Sequence, residues 1–269
     1  MQDKPTLNDT LEMMRDLRER CDWDRAQTHD SLRPYLIEET HELDEAIRSG
    51  KPQQIRDELG DVLLQVLFHS VIAEEAGEFD AGDVAAALIA KMQRRHPHLY
   101  GGGEREPWER MKSKTRGSIA EGLPPGLPAL HRAHRLQERA AGVGFDWDDT
   151  EGPAEKIREE LDEVRELLAR HASAPPGDGT ETPPVYDAAH HALEAELGDL
   201  LFACVNLCRR AGVHPSVALD KANDKFVRRF EAVERLAAER GIVIGEVGLD
   251  VLDRLWDEIK AGENGGARG

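Results

Sequence analysis

Glu38-Glu39-Thr40-His41-Glu42, followed by Asp57-Glu58-Leu59-Gly60-Asp61, is the stretch that decides the fold prediction for this chain. A second copy, Glu159-Glu160-Leu161-Asp162-Glu163 and then Glu196-Leu197-Gly198-Asp199, lies further along. Residues three or four apart share one face of a helix, so each copy can present about four carboxylates across two facing helices. This pattern is typical of a metal-binding helical bundle, and we take metal chemistry as the first hypothesis.

The apolar residues around both copies recur at helical spacing, and aromatic residues make up only 5% of the chain. This pattern predicts an all-α protein. Pro34 fits the first turn of the helix that carries the first acidic run, with Ser31 as its cap, and Asp83 fits the cap of a later helix. The helices predicted for the first half cover residues 6–20, the segment from the Ser31 cap to about residue 49, residues 52–76, the segment from the Asp83 cap to about residue 95, and residues 107–116.

The duplication, in a chain of 269 residues, favours two domains. Phe145-Asp146-Trp147-Asp148 repeats Cys21-Asp22-Trp23-Asp24, and the proline- and glycine-rich stretch around Pro124-Pro125-Gly126 is the best boundary. We therefore predict an N-terminal helical-bundle domain at 1–117, a linker at 118–128 and a C-terminal helical-bundle domain at 129–269. Residues 174–184 are predicted to form a surface loop, and residues 262–266 a disordered tail.

The net charge of −18 excludes some classes of partner. Nucleic acid polymers and anionic membranes require a basic surface, so we expect neither as a partner. No secretion signal or membrane-spanning run is visible, and we expect a cytoplasmic protein. Cys204 and Cys208 lie in an apolar run and are interpreted as core residues, and no Cys/His spacing indicates zinc.

A single acidic run in so acidic a chain is best interpreted as a solvated helix face. Two features favour a functional interpretation here: Glu58 and Asp61 lie in the most apolar helix, and the whole arrangement recurs. Clustered carboxylates repel one another, and a bound cation removes that cost. Ligands that are all oxygen favour Mg²⁺ or Mn²⁺ over zinc. A di-iron bundle would require Glu-x-x-His pairs, which His41 and His69 do not supply.

The repeat continues into basic residues. Lys91 and Arg95 recur as Lys225 and Arg229, and the pair of Trp108 with Lys112 recurs as Trp256 with Lys260. Ordinary surface ion pairing is one interpretation of these cations, and a clamp on phosphate groups is the other. Because Mg²⁺ usually binds alongside substrate phosphates, the combination indicates hydrolysis or transfer at a phosphate, with water as the nucleophile.

These residues resemble a known family. Glu-Glu-x-x-Glu followed by Glu-x-x-Asp, present twice, with a Cys-Asp-Trp-Asp-Arg-Ala-Gln-Thr-His-Asp-Ser-Leu run before the first copy, is similar to the MazG nucleoside triphosphate pyrophosphohydrolases of the all-α superfamily. The resemblance covers about residues 11–260. It implies tandem MazG-like domains, a homodimer and Mg²⁺ dependence. It also implies that ribo- and deoxynucleoside triphosphates are cleaved to monophosphate and pyrophosphate by an activated water that attacks the α-phosphorus.

The resemblance also assigns roles to residues of this sequence. In the second domain it implies catalytic, metal-binding roles for Glu160, Glu163, Glu196 and Asp199. Substrate contacts there are implied for Lys225, Arg229 and Lys260 on phosphate and for Trp256 on the base. The counterparts in the first domain are Glu39, Glu42, Glu58 and Asp61 for metal, with Lys91, Arg95, Trp108 and Lys112 for substrate. The C-terminal domain is often the catalytic one in the family, and we place it first.

Two alternatives remain at this point. The chain would be a helical nucleotide-sensing or dimerisation scaffold if both carboxylate clusters have lost turnover. Among enzymes, a narrower pyrophosphohydrolase for dUTP or phosphoribosyl-ATP fits the same motifs, because stacking on an aromatic ring tolerates any base. Formation of pyrophosphate and monophosphate discriminates an enzyme from a scaffold.

Overall fold

The computed structural model describes residues 4–102, 108–113, 116–171 and 187–266, and in these ranges every regular element is a helix. The predicted all-α, duplicated fold is therefore confirmed. The chain divides into two compact units, residues 1–105 and 106–269. No helix in the described ranges is long and apolar enough to cross a membrane.

The first unit is built around a helical hairpin in which α3 (His29–Ser49) packs against α4 (Pro52–Ala76). Helix α1 (Leu7–Arg20) also packs against α4. Met14, Leu32, Phe68 and Val71 form its buried core. Gly50 ends α3 with φ +66°, a left-handed conformation that favours glycine and allows the short turn into α4. The helices are α1 Leu7–Arg20, α2 Asp22–Ala26, α3 His29–Ser49, α4 Pro52–Ala76, α5 Ala81–Arg95 and α6 Pro97–Tyr100.

The predicted bounds of α4 are confirmed, whereas the predicted start of α3 is wrong. Thr28, not Ser31, caps α3: the Thr28 hydroxyl accepts from the Ser31 amide at 3.2 Å, and the Ser31 hydroxyl accepts from the Thr28 amide at 2.9 Å. This reciprocal capping box moves the helix start to His29 and leaves Pro34 inside the helix. A reciprocal capping box also starts α5, with Asp80 as the N-cap and Asp83 as its partner three residues later. The prediction that Asp83 caps this helix is therefore also wrong.

The second unit repeats the hairpin: α9 packs against α10, α8 packs on α10, and α12 packs on α11. Val233, Ala237 and Leu255 form the core between α11 and α12. The prediction of a disordered tail at 262–266 is wrong, because α12 continues to Gly266. The helices are α7 Trp108–Ser113, α8 Ala129–Gly142, α9 Glu151–His171, α10 Ala188–Arg210, α11 Pro215–Glu239 and α12 Leu249–Gly266.

The segment predicted as a linker, residues 118–128, consists mainly of turns and is tied to α8. The Arg139 guanidinium donates to the carbonyls of Ile119 at 2.7 Å and Glu121 at 2.9 Å. The predicted domain bounds of 1–117, 118–128 and 129–269 stay a prediction. The predicted surface loop at 174–184 lies outside the described residues.

Candidate active site

The second carboxylate cluster is formed across the α9–α10 hairpin. Glu160 on α9 meets Glu196 and Asp199 on α10, and one carboxylate oxygen from each lies within 4.8 Å of the others. Glu160 is only 5% exposed, whereas Asp199 lies at the open side. The i, i+3 spacing of the two acidic residues on α10 gives them a common face toward α9, as the sequence predicts.

Glu163 stands one helical turn from Glu160 and completes the four predicted carboxylates. Its pKa is raised, first by a hydrogen bond with Glu196 and then by desolvation and the negative charge of Glu160. This hydrogen bond and the nearby negative charge favour the protonated form of Glu163. An all-oxygen donor set under this repulsion fits a hard divalent cation.

Lys156 is a site residue that the sequence reasoning missed. Its ammonium lies 2.6 Å from Oε1 of Glu160 and 2.9 Å from Oε1 of Glu159. The hydrogen bond with Glu160, followed by the one with Glu159, raises the pKa of Lys156. The available sequence signal was the i, i+4 spacing from Lys156 to Glu160, which places both on one face of α9.

The first carboxylate cluster has the same construction. Glu39 on α3 and Glu58 on α4 lie with Glu42 so that their carboxylate oxygens are within 4.8 Å of one another. Burial raises the pKa of Glu39, and the negative charges of Asp61, Glu42 and Glu58 raise it further. The structure therefore brings Glu39, Glu42 and Glu58 together, and Asp61 acts on Glu39 through its charge.

A cavity of about 410 Å³ adjoins the second cluster, and Glu160 and Asp199 belong to its wall as well as to the cluster. This volume falls within the range of about 300–1,000 Å³ that is usual for small-molecule sites. The wall of the cavity includes the aromatic rings of Phe145, Trp147 and Phe202 and the amide side chains of Gln137 and Asn206. The residues that line it are Ile119, Leu136, Gln137, Ala140, Phe145, Trp147, Lys156, Glu160, Asp199, Phe202, Ala203, Asn206 and Arg209.

Ion pairs hold the segment that carries Phe145 and Trp147, two aromatic residues of the cavity wall. Asp146 accepts hydrogen bonds from the guanidinium groups of Arg209 and Arg210, with Nη1 of each at 3.1 Å from Oδ2. Burial alone would raise the pKa of Asp146, but the hydrogen bond and charge of Arg209 lower it overall. A Cβ atom at Gly152 would overlap the indole ring of Trp147, so only glycine permits this packing.

The predicted phosphate-binding cations of the second unit lie on α11 and α12. Arg229 binds Glu263 through Nε at 2.9 Å and Nη2 at 2.6 Å, and its guanidinium stands 5.9 Å from the ring centre of Trp256. The Arg229 hydrogen bond lowers the pKa of Glu263, as do the charges of Arg228 and Lys225. Several cations therefore act on one carboxylate, as they would on a phosphate.

Lys260 is paired within α12, with its Nζ 2.8 Å from Oδ1 of Asp257. Trp256 packs against the core of α11 and α12 and faces Phe226 at a ring-centre distance of 5.4 Å. In the described part of the chain, none of the predicted cations of α11 and α12 is ion-paired with a carboxylate of α9 or α10. The predicted carboxylates of this unit lie on α9 and α10, and the predicted cations lie on α11 and α12.

The predicted substrate residues of the first domain are also divided. Lys91 and Arg95 stand one turn apart on α5 in the first unit. Lys112 stands on α7 in the second unit, where its Nζ lies 3.9 Å from Oε1 of Glu109. The side chain of Trp108 lies outside the described residues.

The two hairpins differ next to their carboxylates. Trp23 packs edge-on against Tyr35 and Phe68, with ring centres 6.2 Å and 6.4 Å away. Tyr35 is the counterpart of Lys156, since each lies four residues before the first glutamate of its cluster. Phe68 is the counterpart of Asn206, since each lies ten residues after the first acidic residue of the second helix, Glu58 or Glu196. Aromatic rings therefore stand in the first unit at positions that line the open cavity in the second.

Comparison with known proteins gives a consistent result. The sequence model of the MazG nucleotide pyrophosphohydrolase domain matches residues 27–100 and 150–234, which contain the two hairpins. The nucleoside triphosphate pyrophosphohydrolase/pyrophosphatase MazG of Thermotoga maritima is 45% identical over 253 residues, 91% of each chain.

Two further relatives carry a similar name. The nucleoside triphosphate pyrophosphohydrolase of Escherichia coli K12 is 40% identical over 265 residues, 94% of this chain and 95% of the relative. The nucleoside triphosphate pyrophosphohydrolase of Mycobacterium tuberculosis is 42% identical over 168 residues, 59% of this chain and 50% of the relative.

Proposed function

The chain belongs to the MazG nucleotide pyrophosphohydrolase family, and from this premise we propose that it hydrolyses nucleoside triphosphates to nucleoside monophosphate and pyrophosphate. One observation carries the proposal beyond family membership. Glu160 and Asp199 belong both to the carboxylate cluster and to the wall of the cavity, so a nucleotide in the cavity has its phosphates beside the acidic residues.

We propose that Glu160, Glu163, Glu196 and Asp199 hold Mg²⁺, with Mn²⁺ as an alternative. The support is the all-oxygen donor set and the raised pKa of Glu163, caused first by its hydrogen bond with Glu196 and then by desolvation and the negative charge of Glu160. When bound, such a cation neutralises phosphate charge and lowers the pKa of water. Any of the four carboxylates that is not saturated by the cation has the basicity to accept a proton from the attacking water.

The water oxygen forms a new bond to the α-phosphorus, and the bond from that phosphorus to the bridging oxygen breaks. Pyrophosphate then leaves with the electron pair of that bond and with one more negative charge to stabilise. We propose that Lys225, Arg229 and Lys260 bind this leaving group, because positioned cations stabilise charge that develops in the transition state. In the structure the Glu263 carboxylate accepts hydrogen bonds from the Arg229 guanidinium, as a phosphate oxygen would.

The base occupies the cavity. Phe145, Trp147 and Phe202 line the cavity and are 80%, 41% and 43% exposed, and exposed rings are suited to stacking on a base. Trp256, the base contact implied by the family resemblance, packs on the core of α11 and α12 beside Arg229, and its contact with the base stays a prediction. Stacking does not select among bases or sugars, so we propose a broad range of ribo- and deoxynucleoside triphosphates.

We propose that the second unit carries the catalysis. Its cavity is open beside the carboxylates, whereas Trp23, Tyr35 and Phe68 pack together at the corresponding positions of the first unit. This aromatic packing in the first unit supports a catalytic role for the second. Its substrate residues Lys91, Arg95, Trp108 and Lys112 stay predictions.

We also propose a homodimer. The predicted carboxylates lie on the α9–α10 hairpin, and the predicted cations lie on α11 and α12. Apolar residues are exposed on both pairs of helices, including Leu201 at 60% on α10 and Phe226 at 56% on α11. A two-fold dimer would cover these residues on both copies. Light scattering of the purified protein gives the mass that tests this proposal.

Hydrolysis in water enriched in ¹⁸O tests the function and the position of attack together. We expect ³¹P NMR to show nucleoside monophosphate and pyrophosphate, with the label on the monophosphate. Label on pyrophosphate would move the attack to the β-phosphorus. Release of orthophosphate, or tight nucleotide binding with no product, would contradict the proposed function.

A further inference from the structure

We propose that Asp146 is a positioning residue for substrate binding, whose carboxylate fixes the two aromatic rings that receive the nucleobase. This inference rests on the proposed function and adds a residue that acts through its neighbours. Asp146 lies between Phe145 and Trp147, which both line the cavity, and it is not among the described residues of the cavity wall. The repeated Phe-Asp-Trp-Asp motif thereby gains a role of its own.

The Asp146 carboxylate accepts hydrogen bonds from three separate groups. The backbone amide of Trp147 donates to Oδ1 at 3.0 Å. Oδ2 accepts from Nη1 of Arg209 and from Nη1 of Arg210, each at 3.1 Å, and Nη2 of Arg209 also donates to Oδ1. The side chains of Asp146, Arg209 and Arg210 are only 19%, 10% and 24% exposed. Charge-assisted bonds between such sheltered groups are stronger than an exposed surface pair, so they hold this segment against α10.

The two arginines extend this hold in different directions. Nη2 of Arg210 donates to the carbonyl of Asp148 at 2.7 Å, and its Nε donates to the carbonyl of Asp149 at 3.2 Å. Arg209 lines the cavity and donates from Nη2 to Oδ1 of Asn206 at 2.7 Å. The segment of the two rings is therefore connected to α10, which also carries acidic residues of the second cluster.

Trp147 is limited on another side by α9. A Cβ atom at Gly152 would lie 2.1 Å from Cδ1 of the indole, so the ring packs directly on the backbone of the first turn of α9. Asp146 fixes the main chain of Trp147, and Gly152 limits its ring. Without the carboxylate the first of these constraints is lost, and the ring is free to leave the cavity wall.

The first unit provides an internal comparison. Asp22 occupies the same place in the first copy of the motif, but its side chain is 92% exposed and pairs with Arg25 three residues later. The positions that correspond to the two arginines of α10 are Val71 and Ile72, counted from the first acidic residue of the second helix. Apolar side chains do not bind a carboxylate. The sheltered arrangement therefore belongs to the unit that has the open cavity beside its carboxylates.

Binding of the base and binding of the phosphates are separable on this account. Asp146→Asn keeps the shape of the side chain but removes the charge that holds two guanidinium groups. We expect KM for ATP to rise by about fivefold to tenfold, because the base loses ordered stacking partners, and kcat to change by less than about twofold. Inorganic tripolyphosphate has neither base nor sugar, and we expect its inhibition constant against ATP to stay within about twofold of the wild-type value.

Three further variants sharpen the test. Asp22→Asn is the matched control, since it makes the same substitution in the first copy, and its KM should equal the wild-type value. Arg210→Gln removes one donor that does not line the cavity, and we expect KM for ATP to rise about threefold with no effect on tripolyphosphate. In a Trp147→Leu background, Asp146→Asn should change KM by less than about twofold, because residues that act through one another are not additive.

Several results would overturn the role of Asp146. These are an unchanged KM for ATP in a folded Asp146→Asn chain, equal weakening of ATP and tripolyphosphate, and full additivity with Trp147→Leu. If Asp146→Asn fails to fold, Arg210→Gln decides by the same comparison of ATP with tripolyphosphate. A wild-type chain that forms no pyrophosphate overturns the proposed function instead. Calorimetric dissociation constants of ATP and tripolyphosphate for the same variants then decide whether Asp146 positions the rings.

Discussion

Arg229 donates to Glu263 from Nε at 2.9 Å and from Nη2 at 2.6 Å, so a predicted phosphate ligand is already paired with a carboxylate of the same chain. The Arg229 hydrogen bond lowers the pKa of Glu263, and the positive charges of Arg228 and Lys225 lower it further. A triphosphate must replace this carboxylate to reach Arg229. The ion pair is therefore a competitor of the substrate.

Glu263→Gln removes that competitor. We expect KM for nucleoside triphosphate to fall by about twofold to fivefold with little change in kcat, the size usual for a partly exposed ion pair. The decrease should shrink at high salt, because screening weakens the pair in the wild-type chain as well. Steady-state kinetics at low and high ionic strength provide the measurement.

Glu258→Gln is the matched control for this prediction. Glu258 also joins α12 to α11, through Arg240 at 2.7 Å, but Arg240 lies outside the predicted set of phosphate ligands. We expect its KM to match the wild-type value. A KM that rises in Glu263→Gln, or that falls equally in both variants, would show that Arg229 does not bind the substrate.

Gly152→Ala tests the position of Trp147. The added Cβ would overlap the indole ring, so the ring must move away from the cavity wall. We expect KM to rise on the order of tenfold, as for the loss of one aromatic stacking partner, while circular dichroism keeps its helical spectrum. Gly126→Ala is the control, because a Cβ there meets no atom within 4 Å. Unchanged KM in a folded Gly152→Ala variant would remove Trp147 from the base site.

The sequence predicted the carboxylate clusters because they depend on local periodicity. Glu196 and Asp199 are three residues apart, and Glu160 and Glu163 likewise, so helix geometry alone places each pair on one face. The bounds of α4 were predicted for a similar reason, because Pro52 is its first residue and Gly77 is its C-cap, and both effects are local. The start of α3 was missed because either Thr28 or Ser31 can cap a helix, and only the reciprocal bonds decide between them.

The cavity could not be predicted because it depends on contacts between distant segments. Gln137 and the Phe202 carbonyl are separated by 65 positions, and no repeat or spacing links them. The pairing of Arg229 with Glu263 depends likewise on how α12 packs on α11. Lys156 is an intermediate case: its spacing from Glu160 is local, but its importance follows from the burial of Glu160.

His134 on α8 gives the fold a dependence on pH. Burial lowers the pKa of His134 despite the opposing charge of nearby Glu138. Because the unfolded chain binds the proton more readily, the stability from His134 is complete above about pH 6.5 and is lost as pH falls through the folded pKa. We expect the melting temperature to fall between about pH 7.5 and about pH 5.5, and to fall less in His134→Gln.

His41→Gln is the control for that measurement, since His41 is exposed on α3. Its melting temperature should follow the wild-type dependence on pH. An identical decrease in His134→Gln and the wild-type chain would show that His134 does not contribute to the acid sensitivity.

Metal binding should also be linked to pH. The hydrogen bond with Glu196 raises the pKa of Glu163, so in the absence of metal the stability from this proton is lost as pH rises through the folded pKa. Mg²⁺ replaces the proton, and we expect it to raise the melting temperature more at about pH 8 than at about pH 5. Differential scanning calorimetry with Mg²⁺ or EDTA gives the comparison. An equal effect at both pH values would argue against binding by this cluster.

The central claim is that the carboxylates of the second unit, and not those of the first, perform the hydrolysis. Glu196 and Glu58 are equivalent positions of the two hairpins, so Glu196→Gln and Glu58→Gln form a matched pair. Pyrophosphate release from a nucleoside triphosphate with Mg²⁺ is the direct measurement. We predict that Glu196→Gln loses about 100-fold or more of kcat/KM and that Glu58→Gln stays within about twofold of the wild-type value. An equal loss in both variants, or a larger loss in Glu58→Gln, would contradict the account.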